Sequence, residues 1–264
     1  MREFQGEYAA DTMFNHAFAK GLKVLFAFQG AHTTMSLTEA ARELGISIGS
    51  AQRTLYTLEK LGLIRRSPKT RKYGLTLRVL ELGLNYIAAD PLVEIANPFL
   101  AELSNITGET VNLTEPMDHE MVYVSRVVAA KFIPIHMPTG SRIPMYCTAS
   151  GRAYLSALPE EEVQAILDAS EIVRYTEWTE TDPAKLMDHI RQARRVGLAL
   201  NKEEVYLGDM TLGAPIIGRQ GTPVASIHIV APTSRWTAED AWARLGPAVL
   251  DCARGISYAV RFIT

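Results

Sequence analysis

Six cations (Lys60, Arg65, Arg66, Lys69, Arg71 and Lys72) fall within thirteen residues, with no acidic residue among them. Thirteen residues before Lys60 begins the stretch "SIGSAQRT", in which Ser47, Ser50, Gln52 and Arg53 could all meet base edges. Arginine pairs bidentately with guanine, glutamine with adenine, and serine with several bases. Lys69, Arg71 and Lys72 suit phosphates, which position a protein on a duplex without specifying sequence. A lone cationic cluster is usually a solvated hairpin. The helical pattern preceding this one favours DNA.

A second set of residues could hold a small molecule. In "PVASIHIVA", Ala225, Ile227, Ile229 and Ala231 alternate onto one strand face and read as core. The other face carries Val224, Ser226, His228 and Val230, either a ligand-pocket wall or the site of one buried histidine satisfied by backbone. In "GSRIPMYCTASGRAYL", a loop with Arg142 and Tyr146 runs into a helix starting at Thr148 or Ala149. Helix-start amides bind anions, and an arginine alongside fits a carboxylate. Alternatively, Arg142 is a surface cation and Tyr146 a core aromatic. Cys147 with His228 could form a thiolate nucleophile and base, but no nucleophile signature surrounds the cysteine. The histidines show no ligand spacing with Cys147 or Cys252, so neither a metal, a cofactor nor a catalytic residue is expected.

These residues need elements to position them. "FAKGLKVLFAF" reads as an amphipathic helix, apolar at Leu22, Leu25, Phe26 and Phe28 and ending near Gly30. Ser36 and Glu39 form a capping box opening a short helix through Leu44. Gly45 supplies a tight turn, and Ser47 caps a second helix to about Leu61, anchored by Leu55, Leu58 and Leu61. Two strands around "SPKT" then make a wing, completing a winged helix-turn-helix. A linker helix follows, with a stripe of Leu77, Leu80, Leu84 and Ile87 ending before Pro91. It could pair two chains or pack on its own effector domain.

The remainder predicts a helix over about Leu92–Ile106 and a hairpin turning at Met117–Glu120, with "KFIPIHM" as a possible edge strand. Three helices, strands at about 198–206, 211–218 and 223–231, and a terminal helix from Thr237, kinked or interrupted at Pro247, complete it. This is an α+β chain: a winged helix-turn-helix DNA-binding domain (1–75), a linker helix (76–90) and an effector domain on one antiparallel sheet (91–264).

Composition agrees. At 264 residues, 47% hydrophobic and 21% charged, the chain has no apolar run long enough to span a membrane and no signal-peptide core. Two cysteines fit a reducing cytoplasm. Residues 1–75 carry 11 Lys/Arg against 6 Asp/Glu, net +5, while the rest carries −7. A basic third on an acidic body suits a polyanion-binding module.

"AKGLKVLFAF", "SLTEAARELGISIGSAQRTLYTLEKLGLI", "YGLTLRVLELG", "YCTASGRAYLSALPEEE", "GLALNKEEVYLGDMTLGAPI" and "GTPVASIHIVAPTSR" run in one order over about residues 17–236. In this the chain resembles the IclR family of bacterial transcriptional regulators. "GSRIPMYCTASGRAYLSAL" is similar to the branch controlling aromatic-acid catabolism through protocatechuate and 4-hydroxybenzoate. The resemblance implies a winged helix, a linker helix and a GAF-like effector domain, assembled as a dimer or dimer of dimers on an inverted-repeat operator. By position it carries effector-pocket roles onto Ala149, Ser150, Asn201, Thr211, His228 and Val230. Asn201 stands where relatives often have aspartate, and "SIGSAQRT" differs from the "SRAAARR" type of that branch. The implied effector is a small organic acid, aromatic or aliphatic.

Overall fold

The computed structural model describes residues 11–28, 33–129 and 137–261, which divide into two compact units, Met1–Tyr86 and Ile87–Thr264. The expected end of the first helix near Gly30 and nearly all of the proposed "KFIPIHM" strand lie outside the described residues.

In the first unit, α1 (His16–Phe26) is capped by Asn15, whose side chain accepts from the Phe18 amide. Its core side is carried by Val24, with Ala27 and Phe28 just beyond; Phe26 is exposed, contrary to the expected stripe. Helix α2 (Leu37–Glu43) has both halves of the capping box, Ser36 Oγ accepting from Glu39 and Glu39 from the Ser36 amide. Gly45 turns the chain at φ +62°, where a side chain would be strained. Helix α3 (Ile48–Lys60) follows with Ser47 as N-cap. Leu55 and Leu58 anchor it; Leu61 is 54% exposed, because it is the C-cap rather than a member of the buried row. Strands β1 (Ile64–Arg66) and β2 (Tyr73–Leu75) pair antiparallel to form the wing.

Helix α4 (Leu80–Ala89) crosses the division between the units. Leu77, Leu80 and Leu84 are 81%, 55% and 59% exposed, whereas Ile87 packs against the core of the second unit.

The second unit is built on a six-stranded antiparallel sheet, ordered β5-β4-β3-β8-β7-β6. The strands are β3 (Val111–Met117), β4 (Glu120–Val127), β5 (Arg142–Pro144), β6 (Ala199–Lys202), β7 (Met210–Ile217) and β8 (Pro223–Val230). One sheet face carries Met210, Leu212, Ala214 and Ile216 with Ala225, Ile227 and Ile229. Against it lie α5 (Pro91–Thr107) and the C-terminal α9 (Ala238–Val260). Helix α9 runs unbroken through Pro247. Its buried row of Ala241, Leu245, Val249, Ala253 and Ile256 offsets the missing backbone bond.

The other face is covered by α6 (Ala149–Ser156), backed by α7 (Glu160–Ala169) and α8 (Pro183–Val196) around a second core of Met121, Tyr146, Leu155, Leu186 and Ile190. The edge strand here is Arg142–Pro144, a segment expected to be loop. The strand expected over 198–206 is only Ala199–Lys202, because Glu203 takes φ +59° and turns the chain out.

Candidate functional site

Helix α3 turns Gln52 and Arg53 to solvent, with Ser47 also exposed and Ser50 half-buried beneath it. Ser47 Oγ accepts from the Ser50 amide, so it caps the helix before it could meet a base. The Arg53 guanidinium leans back over Gly49, toward the helix start, and makes no ion pair among the described residues. Tyr56, which no signal in the sequence singled out, extends the exposed row, with Lys60 Nζ 5.3 Å from its ring centre. On the wing, Lys69 and Arg71 are exposed. Lys72 is engaged elsewhere: its Nζ lies 3.0 Å from Glu39 Oε1. That contact and the Ser36 amide hold the Glu39 carboxyl down at about 2, the backbone hydrogen bond having the larger effect.

In the second unit, the sheet face under α6 holds a small cavity of about 30 Å³, room for about two waters. Of the nine residues assigned to an effector pocket, Ala149, Ser150, Asn201, Thr211 and His228 line it. Helix α6 starts here, with Thr148 as N-cap, its Oγ1 accepting from the Gly151 amide. The start sits hard on β7: a Cβ added at Gly213 would fall 2.8 Å from the Ala149 carbonyl. Asn201 faces Thr211 across the β6–β7 pair, and Gly213 faces His228 across β7–β8.

The other four fall outside. Arg142 lies on β5, where alternation turns Ile143 into the cavity and Arg142 away from it. Its Nε is 2.6 Å from Glu120 and its Nη2 3.7 Å from Asp118, so its charge is already neutralised at the surface. Tyr146 is a core aromatic: its hydroxyl donates to the Val173 carbonyl and accepts from the Val173 amide. Ser226 and Val230 share the face of His228 but do not line the cavity. For Arg142 and Tyr146, the surface-cation and core-aromatic alternatives hold.

Sequence reading missed much of the lining. Tyr123, Tyr206 and Asp209 enter from β4 and from the loop after β6. Asp209 had a signal: it lies two residues before Thr211, the same side of the strand by alternation. Tyr123 had none, since only pairing of β3 with β8 brings β4 close. Also missed was the buried pair beside the cavity, Arg152 with Glu204, at 2.5 and 2.8 Å. Glu204 Oε1 accepts from Asn201 Nδ2 at 3.0 Å and so orients that cavity residue.

The electrostatics are unusual for a prospective anion site. Among the described residues no Lys or Arg lines the cavity, and Asp209 is the one carboxylate that does. Desolvation raises its carboxyl to about 6, against the opposing effect of Arg126. Desolvation also drives His228 down to about 3, so the ring is neutral. Asn112 Nδ2 and Tyr123 Oη lie 3.1 and 3.2 Å from its Nε2. Nε2 is engaged whichever nitrogen carries the ring proton, while Nδ1 has no hydrogen-bond partner. Ser150 Oγ is likewise buried without a partner. Two buried polar atoms without partners beside a helix start make a polar site.

Thiolate chemistry finds no support. Cys147 is fully buried, desolvation pushes its thiol up to about 12, and it does not line the cavity that His228 faces. No group of three metal-capable side chains occurs among the described residues, and no helix among them is long and apolar enough to cross a membrane.

Residues 17–68 match the IclR helix-turn-helix domain, and residues 84–258 the bacterial transcriptional regulator IclR C-terminal domain. The acetate operon repressor of Salmonella typhimurium is 28% identical over 92% of this chain and 89% of its own. The Pca regulon regulatory protein of Pseudomonas putida is 27% identical over 95% and 86%. Among solved structures, a transcriptional regulator from Rhodococcus sp. RHA1 is 31% identical, with TM-score 0.83 over 95% of this chain and 100% of that one. The Thermotoga maritima IclR is 27% identical, with TM-score 0.72 over 92% and 98%. The curated relatives are regulators of transcription, not enzymes. The chain belongs to the IclR family of DNA-binding transcriptional regulators.

Proposed function

We propose that this regulator senses a small organic acid in the cavity under α6 and reads its operator with α3 and the wing. The observation that carries the sensing role is the pair of buried polar atoms without partners, His228 Nδ1 and Ser150 Oγ, at a helix start where no Lys or Arg among the described residues lines the cavity. A bound acid supplies the partner both lack, and a buried polar group without a partner costs free energy that binding would recover. An aromatic acid is favoured over an aliphatic one. Tyr123, Tyr206, Val205 and Ile143 offer mainly apolar walls, and the Pca regulon regulator supports that branch.

About 30 Å³ is far below the usual ligand pocket of about 300–1,000 Å³, so the acid must displace the part of the loop carrying the Val205 and Tyr206 side chains, ahead of Asp209. That requirement supplies the two states a switch needs, since a ligand with equal affinity for both shifts nothing. On DNA, Gln52 and Arg53 read bases while Lys69 and Arg71 hold phosphates; Lys72, paired with Glu39, is not counted among them. The exposed Leu77, Leu80 and Leu84 supply an apolar row for pairing with a second chain on an inverted repeat.

A thermal-shift screen of aromatic and aliphatic acids, with wild type, Ser150→Ala and His228→Leu, tests the sensing role. Ligand binding to the native state raises apparent stability by mass action. An acid should stabilise the wild type and lose most of that effect in both variants. Undiminished stabilisation of both would move the site elsewhere.

A further inference from the structure

Asp209 is the residue of the cavity that an acid sensor does not explain. It lies immediately before β7, on the face of Thr211, and three residues from Met210 to Gly213 span about 10 Å of strand. Asp209 therefore stands well along the cavity from the start of α6, which lies over Gly213. Its position is fixed by a tight loop. The Glu203 amide donates to the Asp209 carbonyl at 2.7 Å, the Asp209 amide to Tyr206 at 3.2 Å, and the Gly208 amide to Glu203 Oε1 at 2.8 Å. The loop reverses through left-handed Glu203 and Gly208.

An acid bearing only a carboxylate would bring a second negative charge into a poorly solvated space already holding this one. His228 is neutral, and among the described residues the cation acting on Asp209 is Arg126, which does not line the cavity. A hydroxyl or amino group on the ligand removes the conflict by placing a hydrogen between the two oxygens.

We propose that Asp209 selects the effector: its carboxylate accepts a hydrogen bond from a hydroxyl or amino group of an acid whose own carboxylate lies at the start of α6. The inference rests on the acid-sensing reading above and narrows it to hydroxy or amino acids in the broad chemical sense. Sites built to bond a ligand hydroxyl discriminate strongly against analogues lacking it, because the site's polar group is then left facing nothing.

The test is calorimetric titration of the full chain at pH 7.5 with pairs differing by one hydroxyl: 4-hydroxybenzoate against benzoate, and lactate against propionate. Wild type should bind the hydroxylated member of at least one pair about tenfold or more tightly. Asp209→Leu, and Asp209→Asn as the change of smallest volume, should each reduce that preference to about threefold or less. The Leu variant should do so partly by binding the plain acid better. Binding in which the wild type shows no hydroxyl preference, or in which both variants keep it, overturns the role of Asp209 while leaving the acid sensor standing. No binding of any of the four acids by wild type overturns both.

Discussion

Replacing Glu204 by leucine should be among the most damaging single changes in the second unit. The carboxylate receives Arg152 Nη1 and Nη2 at 2.5 and 2.8 Å, Asn201 Nδ2 at 3.0 Å and the Glu180 amide at 3.1 Å. The two side chains of the pair are 3% and 9% exposed. Without Glu204, the guanidinium keeps only its Nε bond to the Tyr146 carbonyl and stays buried with two charged donors unmet. Breaking a buried pair by removing one partner costs about 3–5 kcal/mol. For a unit of this size each kcal/mol moves the midpoint by about 2–4 °C, so a fall of about 6–20 °C is expected. Scanning calorimetry of the full chain checks this, following the transition of the unit Ile87–Thr264. The double variant Arg152→Met/Glu204→Leu should recover most of the loss, because it removes the stranded charge as well. A Glu204→Leu loss below about 1 kcal/mol, or a double variant as unstable as the single one, would refute the argument that the pair is desolvated and mutually dependent. Effector affinity gives a second reading. Asn201 loses one of its two fixed contacts, keeping only that to the Cys147 carbonyl, and its cavity position should loosen.

Three further outcomes follow from separate parts of the molecule. Arg53→Ala should cost about 1–3 kcal/mol at the operator and relax one base position, whereas Lys69→Ala should weaken all sequences alike and lower the salt slope by about one ion; anisotropy titrations at several salt concentrations separate them, and sequence-blind losses from both would put Arg53 on phosphate. Gly213→Ala should destabilise by about 1–3 kcal/mol, since its Cβ meets backbone atoms of Ala149 that cannot rotate away; an unchanged melting midpoint would count against so close a seating of α6 on β7. Glu39 has a carboxyl depressed from 4.5 to about 2, so its contribution to the first unit is complete above the unfolded value and is lost as pH falls from about 4.5 through 2. Glu39→Gln should therefore flatten the acid limb of stability against pH, and a limb of unchanged slope would exclude this carboxylate as its source.

Local order was legible in the sequence because its causes are local. The Ser36–Glu39 capping box, the φ +62° glycine at position 45, the Ser47 cap and the wing depend on residues within a few positions of one another. The alternation of β8 likewise predicted which side chains would face the main core. Five cavity residues were also reached from sequence, through family position and, for His228, the strand pattern as well. Tertiary structure decided the rest, because charges are neutralised by partners distant in the chain. Arg142 and Lys72 look like free cations in sequence. Only the β4–β5 pairing gives Arg142 its partner Glu120, and only the packing of the wing beside α2 brings Lys72 to Glu39. Conversely, Arg152 and Glu204 are 52 positions apart and look like ordinary surface charges until α6 and the β6 edge bury them together. The cavity's own character, with one desolvated aspartate and no cation among its described lining residues, exists only once the sheet order sets β4, β3, β8 and β7 in succession beneath α6. Its smallness, which requires a moving loop, is a property of packing that no residue pattern encodes.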